Sequence, residues 1–345
     1  MSREDGRDLT TAELEQQVRD AGLLSGDVAV AVACTAPGTG RLTSSSGTLA
    51  DRAVDAGTPL YVASVTKQLV GVLAAQQVLA GRLDPEASVT ALDPRLPGWA
   101  APVRVRHLLH HTAGLPSTAV LLTAAGVAEP ELTNERVVAA LAALPGPGRP
   151  PGEAFAYSNL GYVVLAEVLA AVTGTALPVL ARQQVFEPLG LVSAHLGAAP
   201  PGRPADLPAA VRPPATVGDG GWWIGAAELL TWLDALNRGA LGAGVSELVQ
   251  TPGRLDDGTP LTYGWGVTVR VDADGATCTH GGTWPGWTAK TVRRPATGTA
   301  VALLTTGGDV DAVSGSAVAL HDQLVAGPSS QSSSRASSSR RPSAS

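Results

Sequence analysis

The sequence predicts an α/β (α+β) protein in which strands near both ends of the chain build one sheet and a helical block lies between them. Three observations carry that prediction. Residues 27–34, DVAVAVAC, are an uninterrupted run of small apolar side chains, as a strand buried on both faces requires. Strand patterns return only late, near 263–272, 276–281, 286–293 and 299–306, with Gly/Asp turns between them. Between residues 82 and 214 helical periodicity and Pro/Gly-rich links take their place.

The elements follow in order. Residues 11–22 read as an amphipathic helix capped by Thr11 and ended by Gly22. After the 27–34 strand, Gly38 and Gly40 turn the chain into a second strand near 41–49. Residues 62–80 are apolar on a helical period with Gly81 as the stop, which places Ser64 to Lys67 in the first turns. Helices are expected at 103–111, 134–144, 160–173 and 177–187, separated by links such as LPGPGRPPG at 144–152. A further helix spans 226–236, and a last one follows the late strands at 311–325. The predicted organisation is a flexible start (1–10), an α/β domain from 11–81 with 215–326, and a helical domain at 82–214. The Ser-rich tail at 327–345 carries three Arg and almost nothing apolar, so it is expected to be disordered.

Composition excludes several classes. With 44% hydrophobic and 16% charged residues and a net charge of only −6, the chain is neither extensively disordered nor basic enough for nucleic acid. No apolar run approaches the roughly 18 residues of a membrane helix, so no membrane partner is expected. The charged start, MSREDGRD, has no apolar segment behind it, which predicts a cytoplasmic location without a secretion signal. Of the 24 basic residues 22 are Arg, and the two lysines are Lys67 and Lys290. A buried lysine can lose its proton and act as a base, which arginine cannot.

Three short constellations could carry chemistry. In Ser64-Val-Thr-Lys67 the hydroxyl and the amine share one helix face, so a desolvated lysine can activate the serine as a nucleophile. S-x-x-K alone is common on surface helices; here it opens an apolar helix in a chain with two lysines. Tyr157-Ser158-Asn159 precedes another helix, either as a cap with a packed tyrosine or as a proton-shuttling phenol with an amide that holds substrate. His280-Gly281-Gly282-Thr283 follows a strand, either as a hairpin turn or as a place where backbone N–H groups approach an oxyanion.

Together, in this order, the three resemble the serine beta-lactamase and penicillin-binding-protein superfamily, on its class C beta-lactamase and D-alanyl-D-alanine carboxypeptidase side. The resemblance extends to YVASVTKQLVGVLAAQQVLAGRL, VRVRHLLHHTAGL, RPPGEAFAYSNLGYVVLAEVLAAVTG, VFEPLGL, GDGGWWIGAAELLTWL, YGWGV and HGGTWPGW, over residues 20 to 325. It implies an antiparallel sheet flanked by helices beside an all-helical domain, with a site between them. It also implies an acyl-enzyme on Ser64, proton transfer by Lys67 and Tyr157, and an oxyanion hole from the N–H groups of Ser64 and Thr283. Asn159 and His280 would orient substrate or tune Tyr157, and Gly282 belongs to the same box. Many lactamases of this family carry Lys-Thr-Gly where this chain has His-Gly-Gly, which resembles its peptidases, D-aminopeptidases, esterases and acyltransferases more closely. The expectation is a serine hydrolase of an ester or amide, with a small-molecule or peptide substrate and no cofactor. The alternatives are an acyltransferase or peptide cyclase of natural-product biosynthesis, and a catalytically silent binding module.

Other features are set aside. His107, His110 and His111 offer a metal pair without a third ligand or a carboxylate base in the segment, and no metal is expected. Cys34 and Cys278 read as reduced core thiols. Lys290, in Lys290-Thr291-Val292, lacks the glycine of the family's third box. Trp222, Trp223, Trp265 and Trp287 read as packing residues. Trp284, two residues past Gly282, is placed at the cleft as a flat apolar wall for substrate.

Overall fold

The structure is a computed structural model that describes residues 9–20, 28–199 and 212–326. The predicted tail at 327–345, most of the flexible start and the Gly22 helix stop lie outside the described residues. Helix α1 (Thr11–Asp20) is capped one residue earlier than predicted. Thr10 Oγ1 accepts the Glu13 N–H at 3.3 Å while Glu13 Oε2 accepts the Thr10 N–H at 2.8 Å, a reciprocal capping box.

Next come β1 (Val30–Ala36), β2 (Gly40–Ser46), the small hairpin β3 (Thr48–Leu49) and β4 (Arg52–Ala53), and β5 (Leu60–Tyr61). A 3-10 turn (Ala63–Val65) leads into α2 (Thr66–Leu79). The helical block holds α3 (Val89–Leu92), α4 (Val105–Leu109), α5 (Thr118–Ala125), α6 (Asn134–Ala143), α7 (Asn159–Thr173), α8 (Leu177–Ala181) and α9 (Glu187–Leu189). Strand β6 (His195–Leu196) lies inside this block, where no strand is expected, and pairs with β7 (Trp222–Ile224). Then follow α10 (Ala226–Asn237), α11 (Val245–Val249), β8 (Thr268–Asp272), β9 (Gly275–Trp284), β10 (Trp287–Arg294), β11 (Thr299–Thr305) and α12 (Val310–Ala326).

The main sheet has six strands in the order β2-β1-β11-β10-β9-β8, every pair antiparallel. The first and last parts of the chain meet where β1 pairs with β11, Val32 opposite Leu303. Alternation along these two strands separates the faces. Val30, Val32, Cys34, Val301 and Leu303 pack with Leu14 of α1 and with Val313 and Ala317 of α12. Ala31, Ala33, Ala300 and Ala302 turn to the other face, where small side chains let α10 approach closely. The apolar core on that face runs on without a break into Leu108, Leu160 and Leu169 of the helical block. Cys34 and Cys278 are both free and buried, on β1 and β9, which β11 and β10 separate. Burial pushes the Cys34 thiol up to about 12.

A second, three-stranded sheet, β5-β7-β6, sets the site. Tyr61 pairs with Trp223, and the Val62 N–H donates to the Trp222 carbonyl at 3.0 Å, so the chain is fixed two residues before Ser64.

Candidate active site

Ser64 sits in the 3-10 turn rather than in α2 itself. Ala63 before it takes a left-handed backbone (φ +46°), which L side chains avoid unless the surroundings impose it. The Thr66 hydroxyl holds that turn by donating to the Ala63 carbonyl at 2.6 Å. The first N–H groups of such a turn have no partner within the helix, and Ser64 is its second residue.

Lys67 is fully buried in the first turn of α2. Its Nζ lies 3.0 Å from Ser64 Oγ, 2.9 Å from Asn159 Oδ1 and 2.8 Å from the Asp219 carbonyl oxygen. An amide oxygen and a backbone carbonyl can only accept. They therefore accept from Nζ, and its third contact is with Ser64 Oγ. The Asn159 oxygen thus serves Lys67. The physical reason is that a buried amine needs acceptors.

Tyr157 is 47% exposed, and Lys67 Nζ lies 5.0 Å from its ring centroid. Tyr162 closes the other side at 5.7 Å. His111 stacks on Tyr157 with centroids 4.3 Å apart, and Phe155, 43% exposed, forms an apolar rim beside them.

The His280-Gly-Gly-Thr box lies within β9, not at a strand end as the sequence suggests. Strand β9 continues to Trp284 because Gly282 pairs with Ala289 and Thr283 with Thr288 on β10. Gly282 runs so close to the nucleophile turn that a Cβ there would stand 2.0 Å from the Val62 carbonyl oxygen and 3.0 Å from the Ser64 nitrogen. Thr283, next along, is exposed. His280 is buried, and both its nitrogens are engaged. Nδ1 donates to the Gly281 carbonyl at 2.6 Å, so Nε2 accepts the Tyr263 hydroxyl at 2.9 Å. Burial, reinforced by Lys67, pulls its pKa down to about 3, and the ring is neutral. The ring thus ties β9 to Tyr263. Trp284 is partly buried at the end of β9, where its Nε1 donates to the Arg212 carbonyl at 3.0 Å. It thereby joins the strand to the loop that carries Asp219.

The remaining candidates disperse. Lys290 stands opposite Gly281 and so shares the face away from Gly282. The histidines of the 107–111 segment each have their own partner. His107 Nδ1 accepts the Arg104 N–H, His110 Nδ1 bonds the Tyr263 carbonyl, and His111 Nδ1 accepts the Ser158 N–H. Among the described residues, no helix is by itself long and apolar enough to cross a membrane.

Sequence reading missed Asp219, Tyr162 and Tyr263. Asp219 reaches Lys67 through its backbone, which leaves no residue-type signal; the visible trace is the glycine cluster Gly218, Gly220 and Gly221 around it. A Cβ at Gly220 would stand 2.3 Å from the Tyr61 hydroxyl. The Asp219 carboxyl is itself buried, and its Oδ1 has no hydrogen-bond partner. Burial raises its pKa, as it does that of Glu129, which the Asp219 charge raises further.

The family model described as Beta-lactamase matches residues 15–323. A D-aminopeptidase from Cereibacter sphaeroides (strain ATCC 17029 / ATH 2.4.9) is 28% identical over 261 residues, 69% of this chain and 48% of the relative. The chain thus spans about half the length of the curated relatives it matches. The D-amino acid amidase from Ochrobactrum anthropi SV3 complexed with L-phenylalanine superposes with a TM-score of 0.72 at 22% identity, covering 92% of this chain and 98% of that one. The penicillin binding protein from Bacillus halodurans gives 0.74 at 21% identity, covering 89% and 99%. These two likenesses establish the shared fold.

Proposed function

Because the chain belongs to the Beta-lactamase family, we propose that it is a serine hydrolase that cleaves an amide or ester through an acyl-enzyme on Ser64. The observation that carries this reading is the 3.0 Å contact between Ser64 Oγ and a fully buried Lys67 whose other donors are occupied by Asn159 and Asp219. Ser64 Oγ attacks the substrate carbonyl and its proton passes to Lys67 Nζ. The developing oxyanion is met by the backbone N–H groups of Ser64 and Thr283. The bond to the leaving nitrogen or oxygen breaks as Tyr157 delivers a proton to it. Water, deprotonated by the same groups, then releases the acid and frees Ser64.

For the substrate we infer an amide or peptide that begins with a D-amino acid bearing a free amino group. Two things support this. The relatives include a D-aminopeptidase and a D-amino acid amidase by name. The Asp219 carboxyl, adjacent to the Lys67 site, has an unpartnered buried oxygen, and Glu129 lies within its electrostatic reach. A substrate ammonium would satisfy both.

The test is a panel of D- and L-amino acid p-nitroanilides, their N-acetylated forms, a p-nitrophenyl ester and a chromogenic cephalosporin, with intact mass recorded on quenching. The D-configured free amine should turn over fastest, with an acyl adduct on the wild type and none on Ser64→Ala. A Ser64→Ala protein that works at the wild-type rate overturns the hydrolase reading. Equal rates for free and acetylated amines overturn the amine preference alone.

A further inference from the structure

His111 holds the chain on both sides of Tyr157. Its carbonyl accepts the Ala156 N–H at 2.8 Å, and its Nδ1 accepts the Ser158 N–H at 3.1 Å. Its ring stacks on the Tyr157 ring at 4.3 Å and 35°. The same imidazole is packed from behind by Tyr162 at 5.0 Å and Tyr263 at 4.6 Å, and on its edge by Phe155 at 5.9 Å. Tyr162 is in turn anchored by donating to the Leu109 carbonyl at 2.9 Å. The His111 backbone is left-handed (φ +57°), the geometry that lets its carbonyl and its ring reach neighbouring residues of one strand-like segment.

We propose that His111 is the positioning residue for Tyr157, fixing where the phenol stands relative to Ser64 and Lys67. The inference rests on the hydrolase reading, in which Tyr157 moves a proton. Tyr157 is half exposed, and nothing on its own hydroxyl anchors it among the described residues, so its placement has to come from the backbone and the ring beneath it. Accepting from Ser158 requires Nδ1 without a proton, so the proton of the neutral ring sits on Nε2. Burial, with Lys67 and His280 adding to it, pulls the His111 pKa down to about 2, which keeps that form at every working pH.

The experiment separates reach from mere polarity. In His111→Asn the amide oxygen stands where Nδ1 stood, and Asn tolerates a left-handed backbone. In His111→Gln the oxygen stands one bond too far. Hydrogen exchange of the Ser158 amide should remain protected in wild type and His111→Asn and become fast in His111→Gln. On the D-amino acid p-nitroanilide, kcat of His111→Gln should fall by about 10²-fold with KM within about threefold, as for a misplaced reacting group. His111→Asn should recover about tenfold of that loss. In a Tyr157→Phe background His111→Gln should change kcat by less than about twofold, because the hydroxyl it positions is gone. Equal losses in both backgrounds, or equal Ser158 protection in Asn and Gln variants, overturn the proposal. So does a wild-type nitrogen-15 spectrum with the proton on His111 Nδ1, a readout that needs no variant. A wild type that neither turns over nor acylates Ser64 overturns the hydrolase reading, while the exchange and nitrogen-15 arms still decide the His111 contact.

Discussion

Lys67 is the residue around which the site is organised. A buried ammonium or amine is costly unless its polar contacts are met, and here three oxygens meet them, from the 3-10 turn before α2, from α7 and from the loop before β7. Substituting Lys67→Met removes the base and strands two acceptors, so kcat/KM should fall by about 10²–10⁴-fold, the usual worth of a general base. Lys67→Arg keeps the charge but cannot accept the Ser64 proton, and it should be as inactive as Lys67→Met in the same assay. Recovery of activity in Lys67→Arg would show that the cation, not the base, matters. The Ser64–Lys67 pair was legible in the sequence because its geometry is local: three residues along a helical turn place both side chains on one face. The partners of His280 were not legible. A histidine in a strand carries no mark of whether its nitrogens are free, and Tyr263 arrives from a loop 17 residues away.

At the scale of elements, β9 and the 62–64 turn are in backbone contact, and glycine makes that contact feasible. A methyl at Gly282 would stand 2.0 Å from the Val62 carbonyl oxygen, whereas one at Gly281 would meet nothing nearer than 3.7 Å. Gly282→Ala should therefore push β9 off the nucleophile turn and lower kcat by about 10²-fold or more. Gly281→Ala should retain activity within about threefold and nearly the same melting temperature. Parallel p-nitroanilide kinetics and thermal melts check the pair, and similar behaviour of the two variants would refute the close approach. The sequence shows this strand only as far as 281, because the glycine pair Gly281-Gly282 reads as a turn and only pairing with β10 carries it on to Trp284. The reverse holds at 263–267. Those residues look strand-like, yet Gly266 lies against α2 so closely that a Cβ would stand 2.1 Å from the Lys67 carbonyl oxygen. The ladder therefore starts only at Thr268.

The whole molecule buries several imidazoles in neutral form, and this sets its response to acid. Burial pulls His110 down to about 4, His111 to about 2 and His280 to about 3, against an ordinary value near 6.5. Between those values the unfolded chain binds protons that the folded one refuses, so stability is fully present above pH ~6.5 and is lost as pH falls toward 4 and below. Each of the three costs up to ~1.4 kcal/mol per pH unit in that window. Urea midpoints should drop steeply from pH 7 to pH 5, and His110→Gln should flatten the slope. A midpoint constant over that range would contradict the neutral, buried state of these rings.

The amino-acid sequence determined the longer helices and the strands of the main sheet, the serine–lysine pair and the two further boxes, because periodicity, turn residues and helical spacing act over a few neighbours. Tertiary structure decided the remainder. The β1–β11 ladder brings together strands some 270 positions apart, and β6 leaves the helical block to pair with β7. Only tertiary contact brings the Asp219 carbonyl onto Lys67, the Tyr263 hydroxyl onto His280 and Tyr157 onto His111. Hydrogen bonds and ring contacts between distant segments depend on distance in space, and a one-dimensional pattern encodes no such distance.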